Sequence, residues 1–186
     1  MKPSTSLTIY IASSFRSLHA VHLLGDALSG RGHKVLDWTK FAPPLPDDMT
    51  PEERRQALDT DERGEIFAFC VEACARADLV IYLGPAGQDA GTEIGIAYNA
   101  GVPVYGLPGP LEAPGLVLAK AVSRWFTNVR ELIAGVEEFA EEFPLEAAVR
   151  KTGTCIECGI IPEILFGDYC MRCGFKVLRQ TLREQP

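Results

Sequence analysis

Leu7, Ile9 and Ile11 alternate with Thr8 and Tyr10 before the polar run Ala12, Ser13 and Ser14, a pattern that predicts a strand entering a turn. The period then changes. Apolar residues recur at Phe15, Leu18, Val21, Leu24 and Leu28 with helical spacing, and Gly30 and Gly32 end that helix. A second strand is predicted over residues 33–38. Between Phe41 and Pro51, the prolines at 43, 44 and 46 sustain neither helix nor ladder hydrogen bonds, so an exposed loop follows. Residues 61–77 read as a helix with Ile66, Phe69, Val71 and Cys74 available for packing, and the near-continuous apolar run 78–83 reads as a central strand. A loop over 84–91 precedes a helix over 92–100, which Gly101 stops. Residues 102–105 give a fourth strand, with Pro103 placing its start near an edge or an end. A short helix over 116–123, a short fifth strand ending at Trp125 and Phe126, and a helix opened by Asn128 and Glu131 complete the pattern.

Strands alternating with helices imply a parallel sheet covered on both faces. The expected fold is a Rossmann-like, flavodoxin-like α/β sandwich of about five strands. Ligands bind such sheets beyond the carboxyl ends of the strands, where the polar loops after Ala12 and Leu83 fall. We divide the chain into an α/β domain at 1–144, a linker at 145–153 and a small appendage at 154–186. No internal repeat interrupts this division.

Composition narrows the class. A hydrophobic share of 47 % and a charged share of 23 % are those of a folded globular chain. The net charge of -7 argues against a broad basic surface for nucleic acid. The apolar run 7–12 is too short for a signal peptide, and no stretch approaches the roughly 20 residues needed to span a bilayer. The expectation is a cytoplasmic protein that avoids membranes, with its six cysteines mostly reduced or metal-bound.

Four of those cysteines form two matching knuckles, Cys155-x-x-Cys158-Gly and Cys170-x-x-Cys173-Gly. Each pair brings two thiolates to one ion while the glycine lets the backbone turn beneath it, with residues 160–169 able to form a short hairpin between them. The ion expected is structural zinc, with iron the lesser candidate, in a C-terminal zinc ribbon. A site closed by four thiolates leaves no position for water, so it braces the appendage. Arg172, Lys176, Arg179 and Arg183 give the ribbon a modest basic face for a protein or nucleic-acid contact, or simply a solvated surface. Cys70 and Cys74, one helical turn apart, read as packing residues.

Residues 78–97 carry the most information in the larger domain. They pass from a strand through a glycine-containing loop into a helix bearing Asp89, Gly91, Thr92, Glu93 and Gly95. Gly91 and Gly95 permit close backbone approach, and Glu93 is expected in the first helical turn, where amide dipoles favour an ionised carboxylate. By residue type alone, Glu93 could equally favour a helix start and Asp89 a turn.

The order of elements resembles the nucleoside 2-deoxyribosyltransferase family over about residues 7–142. It does so through Glu93-x-Gly95-x-Ala97, the following Gly101-x-Pro103, and the first strand with its turn, Ile9, Tyr10, Ser13, Ser14 and Arg16. The resemblance implies cleavage of the bond between a (deoxy)ribose and a nucleobase, with Glu93 as nucleophile and Asp89 handling the proton of the leaving base. Tyr10 corresponds to a family tyrosine near the nucleophile, and Asp61 to a family aspartate on the helix before the central strand. Ser13, Ser14 and Arg16 fall where relatives acting on nucleoside 5′-monophosphates hold phosphate, with Gly84, Gly87, Gly91 and Thr92 completing the substrate loop. A helix cap, a solvated arginine and a sheet-packing tyrosine account for the same residues without a ligand.

A nucleoside or nucleotide substrate, no organic cofactor and at least a homodimer are also implied. Water or a second base resolves the intermediate, and the motif leaves hydrolase and transferase both open. The alternative class is a non-catalytic nucleotide-sensing module.

Overall fold

The structure, a computed structural model, describes residues 6–41, 45–46, 48–142, 165–166 and 169–170. β1 (Thr8–Ala12), β2 (Lys34–Leu36), β3 (Leu79–Leu83), β4 (Val104–Leu107) and β5 (Arg124–Trp125) form an all-parallel sheet in the order β2-β1-β3-β4-β5. This is the doubly wound order expected from the sequence. All five residues of β3 are buried, as they must be in a strand covered on both faces.

Strand alternation divides the side chains between two layers. Gly25 of α1 (Leu18–Ser29) approaches Val35 of β2, and Tyr105 of β4 packs edge-on to Phe139 of α6 (Val129–Glu142), so α1 and α6 cover one face. The other face meets α3 (Asp61–Arg76), α4 (Gln88–Asn99) and α5 (Leu116–Ala121). Tyr10 and Ala12 of β1, Val80 and Tyr82 of β3, and Gly106 of β4 point to this second face. The register Tyr10 to Val80 and Ala12 to Tyr82 sets them in line. From β1 the chain leaves toward β2, and only afterwards does it cross to β3. The boundary between β1 and β3 is therefore the switch point, with a crevice beyond the ends of both strands.

Local chemistry sets the boundaries. Asn128 Oδ1 accepts from Glu131 N at 2.9 Å, which is the cap expected at the start of α6. The Glu131 carboxylate turns instead to the hydroxyl of Thr127, at 2.7 Å. Gly101, with φ +72, takes the left-handed turn after α4 that a side chain resists. The polar segment after the proline-rich run holds a helix the periodicity did not show, α2 (Pro51–Leu58). Thr50 and Glu53 close a capping box there, with Pro51 in the first turn. α2 buries no side chain, so it leaves no apolar rhythm to read.

Two further strands, β6 (Leu165–Phe166) and β7 (Tyr169–Cys170), pair antiparallel, with Leu165 opposite Cys170. They fall where the sequence places a hairpin between the cysteine knuckles. Cys155, Cys158 and Cys173 lie outside the described residues, as does the linker at 145–153. Cys170 is described only through the backbone of β7, so the expected metal site also lies outside them. Among the described residues, no helix is long and apolar enough to cross a membrane.

Candidate functional site

α4 begins at Gln88, four residues earlier than its apolar pattern suggests, and this moves the two carboxylates. Asp89 stands in the first turn, exposed, whereas Glu93 lies a full turn deeper on the same helix face. The expectation that Glu93 benefits from first-turn dipoles is therefore corrected. Its environment is set instead by β1 and α3.

Tyr10 is fully buried, and its hydroxyl donates to Glu93 Oε1 at 2.5 Å, joining β1 to α4 across 83 residues of sequence. Burial pushes the Glu93 carboxyl up from 4.5 to about 7, and the neighbouring charge of Asp89 adds to the rise. The Tyr10 hydrogen bond and the thiol of Cys70 oppose it. Desolvation and the adjacent carboxylate raise the Tyr10 phenol as well, so Tyr10 remains a neutral donor. The Cys70 thiol is pushed up to about 11 by burial, and Cys74, fully buried in the core, is raised further for the same reason. Neither is a thiolate near neutral pH, which fits their reading as packing residues. The cluster thus holds one ionisable group that titrates near neutrality, a carboxylate fixed by a phenol.

The serines of the turn after β1 make hydrogen bonds within the chain. The buried Ser13 hydroxyl donates to Leu83 O at 2.7 Å, tying the ends of β1 and β3 together. Ser14 caps the 3-10 turn Phe15–Ser17 by accepting from Arg16 N at 3.2 Å, and Arg16 itself is exposed. Ser13 thus gives its proton to the sheet, whereas Ser14 acts as an acceptor.

Gly87 is the N-cap of α4. Gly87, Gly91 and Gly95 face open space, and Thr92 hydrogen-bonds back to Gln88 O at 3.1 Å. Within the chain, a close approach occurs at Gly84. A Cβ there would lie 1.9 Å from Glu112 Oε2. Asp61 opens α3 with its backbone, and its side chain lies outside the described residues. No group of three or more metal-ligating side chains occurs among the described residues.

A second tyrosine–carboxylate pair was not read from the sequence. Tyr82 shares the face and strand period of Tyr10, so alternation could have found it. Glu112, which accepts from Tyr82, sits in an irregular loop with no period to betray it.

A five-stranded, doubly wound parallel sheet with a tyrosine–glutamate pair at its switch point defines the architecture. No family model matches the sequence, and no curated protein matches it significantly. Solved structures do match. A 2-deoxyribosyltransferase from the psychrotolerant bacterium Bacillus psychrosaccharolyticus aligns at 20 % identity and a TM-score of 0.53, over 75 % of this chain and 94 % of that one. A conserved protein from Enterococcus faecalis V583 aligns at 17 % and 0.50, over 72 % and 99 %. A CMP N-glycosidase from Clostridium botulinum is similar at 14 % and 0.46, over 70 % and 98 %. At these identities the first two likenesses show a shared fold, which is the one the sequence resemblance implies.

Proposed function

We propose that this protein cleaves or exchanges the N-glycosidic bond of a (deoxy)nucleoside or nucleoside 5′-monophosphate, with Glu93 as nucleophile. The observation that carries the reading is the Tyr10–Glu93 pair, a half-buried carboxylate that desolvation pushes up to about 7 and that a neutral phenol holds on one oxygen. Its place at the switch point is where this fold binds ligands. The fold shared with a 2-deoxyribosyltransferase and the motif resemblance around Glu93 support the same reading.

The anomeric carbon of an N-glycoside gains positive charge as the base departs, and an ionised carboxylate beneath the ring stabilises that charge. A Glu93 oxygen forms a bond to C1′ while the C1′–N bond breaks, its electron pair leaving on the base nitrogen. Asp89, on the solvent side of Glu93, supplies the proton that nitrogen takes up, directly or through water. Water or a second nucleobase then attacks C1′ and releases the Glu93 carboxylate. Tyr10 keeps Glu93 ionised more often than burial alone allows and fixes which oxygen faces the sugar.

The reading carries two further proposals. The four cysteines hold one structural zinc that braces a C-terminal ribbon, and the chain assembles at least as a dimer. The exposed Leu111, Leu116 and Val117 around the start of α5 offer apolar surface for that assembly.

Incubation with a panel of nucleosides and 5′-monophosphates, with and without an acceptor base, tests the function. Freed base without acceptor marks a hydrolase, and exchanged base marks a transferase. Ligand-dependent thermal stabilisation with neither product overturns the enzyme reading in favour of a binding module.

A further inference from the structure

A second carboxylate stands at the end of β3, carried there by the loop after β4. Tyr82 Oη donates to Glu112 Oε1, and Glu112 Oε2 accepts from Gly109 N at 2.9 Å. The two loops interlock through glycines. A Cβ on Gly84 would meet Glu112 Oε2, and one on Gly109 would lie 2.5 Å from Pro85 Cδ. The half-buried Glu112 carboxylate therefore rests on the first residue of the loop that leads into α4. Tyr82 lies on the same face of the sheet as Tyr10, so Glu112 and Glu93 each accept from a tyrosine of that face.

The charge pattern that results is unfavourable to a phosphate. The loop from Gly84 into α4 has the Glu112 carboxylate at its start and those of Asp89 and Glu93 beyond its end. Of the hydroxyls that the sequence offers a phosphate, Ser13 gives its proton to Leu83 O, whereas Ser14 uses its oxygen to accept from Arg16 N and keeps its proton. Arg16 is the cation left to oppose them in this turn, and it is exposed. A phosphate with a charge of about −2, brought to the backbone amides after Gly84, meets the fixed Glu112 charge at close range. An uncharged sugar hydroxyl meets an acceptor to which it can donate.

We propose that Glu112 is a specificity-determining residue that admits the uncharged nucleoside and disfavours its 5′-monophosphate. The proposal rests on the N-glycoside reading of the site. Its test is the pair of dissociation constants for a nucleoside and the corresponding 5′-monophosphate, measured by calorimetry on the wild-type protein and on Glu112→Gln. Glutamine keeps an acceptor and the side-chain shape but removes the charge.

The expected result is tighter wild-type binding of the nucleoside, with the ratio moving toward the monophosphate by roughly tenfold in the variant. A wild-type preference for the monophosphate, or a ratio that the substitution leaves in place, overturns the proposal. Should the variant not fold, rising ionic strength on the wild-type protein reads the same charge, because salt screens repulsion. The ratio then moves toward the monophosphate, whereas a constant ratio or the opposite movement overturns the proposal. Base release followed in the same samples separates the two claims. Expected binding without freed base overturns the N-glycoside reading and leaves the discriminator standing. Freed base with an unmoved ratio overturns the discriminator alone.

Discussion

Glu93 is pulled in two directions, and each has a measurable consequence. Burial favours its protonated form, while the Tyr10 hydroxyl favours the carboxylate. A nucleophile must be ionised, so kcat/KM for base release should rise with pH through about 7. Tyr10→Phe removes the hydrogen bond that lowers the Glu93 value, so the rising limb should move to higher pH, with a several-fold loss at neutral pH. A pH–rate profile of the two proteins checks this, and a limb that stays in place would exclude Tyr10 as the tuning group. Stability has the opposite sign. Because the folded value of about 7 lies above the ordinary 4.5, the folded state holds the Glu93 proton more tightly. Stability is then lost as pH rises from about 4.5 through 7. Glu93→Gln removes this loss and should stabilise the protein by on the order of 2 kcal/mol at pH 8, with no gain at pH 4. Denaturation midpoints at both pH values test it.

At the scale of elements, packing between layers sets what each position tolerates. Gly135 of α6 lies against the ring of Phe126, where a Cβ would come within 2.5 Å of the Cζ atom, and that ring is buried against Tyr105. Gly135→Ala should therefore cost about 1–3 kcal/mol despite the better helix propensity of alanine, as urea unfolding would show. The elements with a clear apolar pattern were legible: β1 by its aliphatic residues alternating with Thr8 and Tyr10, although both its faces are covered, α1 by helical spacing, and β3 by its unbroken apolar run. α2 was not, because it buries nothing, although Thr50, Pro51 and Glu53 carried its start signal. The first turn of α4 was hidden behind Gly87 and Gly91, and this misplaced Glu93 relative to the helix terminus. In the candidate site, Tyr10 and Glu93 could be named from sequence order, but their contact spans 83 residues and becomes visible only once the sheet register is known. Glu112 needed the interlocked loops around Gly84.

For the whole molecule, two units with separate chemistries are proposed, an α/β domain that carries the reaction and a cysteine ribbon that does not. The full chain should bind one zinc, and Cys158→Ser should release it from a four-thiolate site. Elemental analysis of both proteins checks the metal. Base release in the zinc-depleted variant checks that the metal takes no part in the reaction.

The most direct test of the central claim is the rate of base release by wild-type protein and Glu93→Ala on the best nucleoside of a panel, followed by chromatography of the free base. If Glu93 is the nucleophile, the wild-type protein frees or exchanges the base and the variant is slower by about a thousandfold or more, with its fold intact by circular dichroism. Base release that survives the substitution at an undiminished rate would contradict the account.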